Sequence, residues 1–252
     1  MSQTGEWAST TDEPAGRVVW ITGAGSGMGA ASARVAAASG WRVALSGRRA
    51  DALDAVAADI ADAGGEAVVL PLDVADRPAV ATARDAILTR WGRLDGLVLA
   101  AGLNTPHRRW ADQSMAGFDE IVQTNLVGPT AVIDAALPAL RERAGVAVIV
   151  SSYAAWSFSP GAGVAYSASK AALAQLARSL NAQEAASGVR ACHLCPGDVA
   201  TDFLQHRPNV PDAAALAVML TPDDIARTIQ FVLDAPAHVR VDELVVSPVS
   251  QV

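Results

Sequence analysis

Tyr166 and Lys170 stand four residues apart in the stretch VAYSASKAAL, residues 164–173. On a helix that spacing puts both side chains on one face, one turn apart. A free tyrosine titrates at about 10 and exchanges protons poorly at neutral pH. A neighbouring ammonium favours the phenolate and brings the hydroxyl into use as an acid–base group. Of 19 basic residues, Lys170 is the only lysine. Arginine carries the same charge but lacks the compact, freely rotating ammonium that can bond several hydroxyls. An arbitrary Y-x-x-x-K is ordinarily a snorkelling lysine beside a packed tyrosine, so the surroundings must decide.

Those surroundings begin with Thr22-Gly23-Ala24-Gly25-Ser26-Gly27-Met28-Gly29, directly after the apolar run VVWI. Gly23 permits a tight turn, Gly27 lets backbone approach a pyrophosphate, and Gly29 allows close helix packing. A helix starting through Ser26, Gly27, Met28 and Gly29 offers free N–H groups and partial positive charge to phosphates. Glycine in a strand-to-helix turn is common, so its place after the first strand carries the reading. About 20 residues on, an NAD site would place an acid against the ribose. Here the sequence is Ser46-Gly47-Arg48-Arg49. Arg48 can grip a 2′-phosphate through paired charge-assisted hydrogen bonds, which predicts NADP(H) over NAD(H), with NAD(H) possible. The plain alternative is two arginines solvating a helix start. Asp73, in Leu72-Asp73-Val74, can accept from an adenine amino group, and Ala101-Gly102 would let backbone lie against the adenosine. An Asp there is equally a cap or turn former.

Positioning these groups requires strands. The runs RVVWITGAG, WRVALSG, EAVVLPLDV, LDGLVLAAG, GVAVIVSS, GVRACHLCPG and DELVVSPV are short, continuous and apolar, as strands buried on both faces are. Ala-rich stretches at helical spacing separate them, two ending at Gly40 and Gly64-Gly65, where glycine stops a helix. Alternation of this kind predicts right-handed crossovers and an α/β, doubly wound parallel sheet (a Rossmann fold) of about seven strands, with helices on both faces. Ligands then bind beyond the carboxyl ends of the strands. Residues 1–15 are expected to be a flexible tail, and residues 16–252 a single dinucleotide-binding catalytic domain.

Composition narrows the function classes. The chain has 252 residues, 51% hydrophobic and 18% charged, with a formal charge of −7. That balance argues against a nucleic-acid partner, whose binders usually show a basic patch. No run of about 18 apolar residues suggests a membrane span, no targeting signal is recognisable, and two cysteines suggest no disulfide framework, with which a cytoplasmic setting fits. Cys192 and Cys195 fall three apart on a strand, which turns them to opposite faces and predicts core packing rather than a metal or redox pair.

The ordered series TGAGSGMG, LDV, LAAG, TNLVG, VSSY, YSASK and PGDVAT resembles single-domain short-chain dehydrogenases/reductases from about Arg17 onward. The resemblance implies Tyr166 as acid–base, Lys170 as its tuner and ribose ligand, and Ser152 as donor to the substrate oxygen. It implies that Asn125 holds a water linking Lys170 to solvent, and that Pro196, Gly197, Val199 and Thr201 flank the nicotinamide, with Val199 backbone groups gripping its carboxamide. The reaction would exchange a hydride between nicotinamide C4 and a carbonyl or alcohol carbon. Three departures stand out. Leu99-Ala100-Ala101-Gly102 replaces the frequent N-N-A-G; Ser152 lies 14 residues before Tyr166, one more than usual, leaving Ser151 as fallback; and the second strand lacks an acidic tip.

For the substrate, Trp156, Phe158, Phe203 and the Ala/Leu/Val-rich stretch 202–220 suggest a mainly apolar small-molecule alcohol or ketone under a lid, with ordinary packing as the plain alternative. His107, Arg108 and Arg109 either bind an acid group or face solvent. Two rival readings keep the fold and change the function: a non-catalytic nucleotide sensor, or an epimerase using the hydride transiently. A homodimer or homotetramer is expected through long fourth and fifth helices at 112–141 and 164–187.

Overall fold

A computed structural model describes residues 16–251; the tail expected over 1–15 lies outside them, as does residue 252. In chain order the elements are β1 Val18–Thr22, α1 Gly27–Ala38, β2 Arg42–Gly47, α2 Ala50–Asp62, β3 Ala67–Pro71, α3 Arg77–Trp91 and β4 Gly96–Leu99. There follow α4 Met115–Val122, α5 Gly128–Arg143, β5 Val146–Val150, α6 Tyr153–Trp156, α7 Val164–Gln183, β6 Arg190–Pro196, α8 Ala213–Ala217, α9 Pro222–Leu233 and β7 Glu243–Val246. All seven expected strands form, in one sheet of order β3-β2-β1-β4-β5-β6-β7 with every pairing parallel.

Side chains alternate along each strand, so the apolar runs divide into two cores. Val18 and Trp20 of β1 join residues of α3, α5 and α7, while Val19 and Ile21 join those of α1, α2 and α9. The Trp20 indole N–H is satisfied inside the first core by Ser46 Oγ at 2.9 Å, and that hydroxyl donates to Leu70 O. Local signals set the helix ends. Asp76 caps α3 by accepting from Ala79 N, and Gly92 closes it at φ 68°. Thr221 and Asp224 form a reciprocal capping box on α9. Among the described residues no helix is long and apolar enough to cross a membrane.

The helix expected at 112–141 is broken. Its α-helical part starts at Met115, and a π turn at Gln123–Val127 separates α4 from α5. Pro129 has no N–H for the Asn125 carbonyl four residues earlier, so an uninterrupted α-helix is unavailable. Gly128 N instead reaches back to Gln123 O, and Gly128 presses so close to Val74 that an added Cβ would sit 2.6 Å from its Cγ2. The wide turn leaves Asn125 fully buried. The second stretch, 164–187, holds as α7 followed by a single 3₁₀ turn.

Candidate active site

The strand order reverses between β1 and β4, the place where open α/β sheets leave a crevice. A cleft of about 1070 Å³ opens there, at the carboxyl ends of the strands, above the ~300–1,000 Å³ of ordinary small-molecule sites.

Its floor is the glycine turn. Gly23 has φ +69°, and a Cβ on it would fall 2.7 Å from the Ala100 and Ala101 backbone. A Cβ on Gly29 would fall 2.2 Å from Gly23 O, so α1, the turn and the end of β4 are stacked backbone on backbone. Gly27, at φ +53°, faces the Thr201 methyl 3.3 Å from its would-be Cβ. Ser26 occupies the N-cap of α1 without a side-chain cap bond, which leaves the helix start to a ligand. Ser26, Met28, Ala101 and Gly102 also line the cleft. Together these features fit a dinucleotide.

Three residues expected to bind the cofactor, Arg48, Asp73 and Val74, are outside the cleft lining. Arg48 is exposed after β2, and it is Arg49 that reaches the turn, Nη2 to Ser26 Oγ at 3.1 Å. Asp73 accepts from Ala75 N at 2.9 Å, the turn-forming role that was its plain alternative. Val74 is buried against Gly128.

The opposite wall is the segment after β6. Pro196, Gly197, Val199 and Thr201 all line the cleft. Ala200 N bonds Leu220 O, and Leu220 N bonds Asp198 O. In a parallel pair this turns the Val199 N–H and C=O away from Leu220. Gln251 was missed: its Oε1 accepts from Asp198 N at 2.8 Å and fills the space above Gly197. A residue so near the chain end carries no local signal for such a contact.

Tyr166 sits in the first turn of α7, and Lys170 one turn later is 4% exposed. Of the two serines, Ser152 is the one whose side chain acts on the Tyr166 hydroxyl, while the Ser151 hydroxyl donates to Lys170 O at 3.0 Å. Ser152 caps the short α6 by accepting from Ala154 N. Lys170 Nζ donates to Val150 O at 2.9 Å and stands 5.8 Å from the Tyr166 ring centre. Burial raises the Tyr166 pKa above its usual value; the Ser152 hydrogen bond and the charges of Arg108 and Arg207 oppose that rise. Burial also pushes Lys170 down to about 8.

That depression has a measurable consequence. Below pH about 8 the folded state resists protonating Lys170 while the unfolded state does not, and the penalty fades as pH rises towards the free lysine value. Lys170→Met is therefore expected to be more stable than the parent at pH 7, with the difference shrinking above pH about 8. Denaturant midpoints of both proteins across pH 7–10 check this.

Asn125 lies behind the lysine. Its Oδ1 accepts from Leu103 N at 2.7 Å, and its Nδ2 donates to Leu103 O and Ser169 Oγ. A Cβ on Gly102 would stand 3.6 Å from Lys170 Nζ and 3.7 Å from Asn125 Oδ1, so all three meet at one point.

The aromatic wall is thinner than expected. Phe203 lines the cleft with its ring centre 6.2 Å from that of Tyr166. Trp156 and Phe158 are 54% and 86% exposed and outside the cleft; Trp156 packs edge-on against Tyr153 instead. Stretch 202–220 folds as a 3₁₀ turn and α8 beside the opening. Of the basic trio, Arg108 and Arg109 line the cleft, whereas His107 faces a smaller hollow behind Tyr166.

Cys192 and Cys195 are both buried, with Cys195 Sγ 3.5 Å from His193 Nδ1. His193, Cys195 and Glu243 bring one potential ligand atom each within 4.8 Å. Burial pushes both thiols up to about 12.

Comparison with known proteins agrees with this architecture. A family model described as short chain dehydrogenase matches residues 17–210. The chain is 34% identical over 242 residues to sulfoacetaldehyde reductase 2 of Chromohalobacter salexigens, spanning 93% of this chain and 95% of that protein. It is equally 34% identical to glycine betaine reductase ATRR of Emericella nidulans, where the match takes in 92% of this chain but only 19% of that much longer protein. An alcohol dehydrogenase structure from the archaeon Thermococcus sibiricus, complexed with 5-hydroxy-NADP, matches with a TM-score of 0.85 and 32% identity, over 94% of this chain and 98% of that one. With its sheet order, glycine turn and Ser152–Tyr166–Lys170 cluster all in one cleft, the chain belongs to the short-chain dehydrogenase family of oxidoreductases.

Proposed function

We propose that the protein is an NADP(H)-preferring dehydrogenase/reductase acting on a C=O or CH–OH group, with Tyr166 as its acid–base residue. The observation that carries this reading is that Ser152, Tyr166 and Lys170 line one cleft, with Lys170 one helical turn beyond the tyrosine. The cofactor, when bound, supplies or accepts the hydride. Ser152 and Tyr166 hold the substrate oxygen from one side, and Tyr166 gives its proton to that oxygen during reduction or takes it back during oxidation. Lys170 bonds the ribose hydroxyls and adds positive charge near the phenol. Asn125 fixes the Leu103 backbone and holds a water serving Lys170. Gly23, Ser26, Gly27, Met28 and Gly29 cradle the pyrophosphate, while Pro196, Gly197, Val199 and Thr201 bound the nicotinamide. Asp73, Val74, Ala101 and Gly102 bound the adenosine. Arg48 would take the 2′-phosphate, aided by Arg49, which reaches Ser26 of the glycine turn. The fold, the size of the cleft and a related structure solved with an NADP derivative support the assignment. Assembly as a homodimer or homotetramer belongs to the same proposal.

Calorimetric titration with NADPH and NADH tests it. A hydrogen bond to a charged group is worth about 1.5–3 kcal/mol, so Arg48→Ala should weaken NADPH by about tenfold or more and leave NADH nearly unchanged. Equal loss for both, or tighter NADH binding by the parent, would refute the phosphate clamp. Binding of neither nucleotide would refute the enzyme reading itself.

A further inference from the structure

Along 197–200, the wall that follows β6, every backbone N–H but one has a partner among the described residues. Gly197 N donates to Val246 O at 2.7 Å, and Ala200 N to Leu220 O at 2.8 Å. Asp198 N has no backbone partner; it donates to Gln251 Oε1 at 2.8 Å, on a residue 53 positions away. Asp198 O accepts from Leu220 N at 3.0 Å. The N–H that remains is that of Val199. Val199 is 6% exposed and lines the cleft, so the partner that a buried N–H requires must come from the cleft.

Gln251 is itself held in place and lines the same cleft. Its backbone N–H donates to Pro248 O at 3.0 Å, and the neighbouring Ser250 hydroxyl donates to Val218 O at 3.1 Å. Segment 247–251 therefore grips both roots of the stretch 198–220, Asp198 at one and Val218 at the other. The orientation of the Gln251 amide follows from its partner, because a backbone N–H must meet the oxygen. Gly197 makes room for this contact: a Cβ there would stand 2.3 Å from Gln251 Oε1 and 2.9 Å from Ser247 Cα. Any larger residue at 197 would push the carboxamide off Asp198 N, so Gly197 and Gln251 are a matched pair.

We propose that Gln251 is a positioning residue for the nicotinamide, acting through Asp198 on the backbone of Val199. Gln251 fixes the peptide that precedes Asp198, and Leu220 fixes the one that follows it. The Val199 N–H is then held in a single direction, ready for the carboxamide of the cofactor. This rests on the oxidoreductase reading above. Without the Gln251 oxygen, Asp198 N becomes a second unpaired donor in the same wall, and Asp198 is held by its carbonyl and its ion pair with Arg207. The carboxamide then meets two competing donors, and the ring loses its single orientation.

Calorimetry of the parent, Gln251→Leu and Gln251→Glu tests this by pairing each full cofactor with a ligand that lacks the nicotinamide. NADPH is compared with 2′,5′-ADP, and NADH with ADP-ribose. Leucine fills similar space but offers no acceptor, and a buried N–H left without one is unfavourable. Gln251→Leu should therefore weaken the cofactor that the parent binds more tightly by about tenfold. Its nicotinamide-free counterpart should change by less than about twofold, whereas a merely structural role would weaken both alike. Gln251→Glu keeps an oxygen for Asp198 N and should hold the loss below about threefold. Loss confined to the full cofactor and reversed by glutamate upholds the proposal. No loss, equal loss in both members of the pair, or a loss that glutamate leaves in place would overturn it and leave the oxidoreductase reading standing. Binding of neither NADPH nor NADH by the parent would overturn that reading and this inference with it.

Discussion

Tyr166→Phe is expected to lower NADPH-dependent turnover by about 10³-fold or more, at the upper end of what a positioned acid–base group contributes. The substitution is well isolated. The ring keeps its packing against Phe203, Lys170 keeps its bond to Val150 O, and Ser152 keeps Ala154 N as a partner. What disappears is the hydroxyl, the one atom on which Ser152, Arg108 and Arg207 all act. NADPH affinity, measured by calorimetry, should therefore stay within about threefold of the parent while single-turnover reduction collapses. Survival of reduction to within tenfold would show that Tyr166 does not transfer the proton. The pH profile gives a second reading of the same group. Because burial holds the phenol above its ordinary pKa, it stays protonated through neutral and mildly alkaline pH. The Tyr166 contribution to carbonyl reduction, which needs the acid form, should stay flat there. Its contribution to alcohol oxidation, which needs the phenolate, should rise with pH.

Gly29→Ala is expected to have the largest effect on the fold. The new Cβ would stand 2.2 Å from Gly23 O, 2.7 Å from Gly23 C and 3.2 Å from Ala24 Cα. All three are backbone atoms and cannot rotate aside. Gly23 cannot retreat either, because the Ala100 and Ala101 backbone lies directly behind it. The first turn of α1 must then move off the sheet, at a cost of about 3 kcal/mol as in an overpacked core. For a chain of this size that lowers Tm by roughly 6–12 °C. The same shift carries the helix N-terminus away from the pyrophosphate position, so NADPH binding should fall at least about tenfold. Gly161→Ala is the control for stability: no atom lies within 4 Å of its would-be Cβ, and Tm should change by less than about 2 °C. Similar Tm values for the two variants would show that the contact at Gly29 yields easily.

Reading the strands from sequence worked because a sheet covered on both faces demands uninterrupted apolar runs, and VVWIT and VAVIV have no other use. The break at Gln123–Val127 was not visible that way. Its periodicity is helical on both sides, and only the missing N–H of Pro129 and the close approach of Gly128 to Val74 force the π turn. Ser152 was preferred to Ser151 from the sequence, and both serines line the cleft; the bond from the Ser151 hydroxyl to Lys170 O, which separates their roles, joins positions 19 residues apart and has no local signal.

By itself the sequence determined the family, the sheet and the two local motifs, the glycine turn and the Tyr166–Lys170 pair, because each is written within a few residues along one element. Tertiary structure decided which charges surround the phenol. Arg108 and Arg207 reach Tyr166 from loops far apart in the chain, Gln251 closes over Gly197 from the last residues, and Lys170 turns to Val150 O. No periodicity encodes such contacts, since fields and burial depend on distances in space rather than on spacing along the chain.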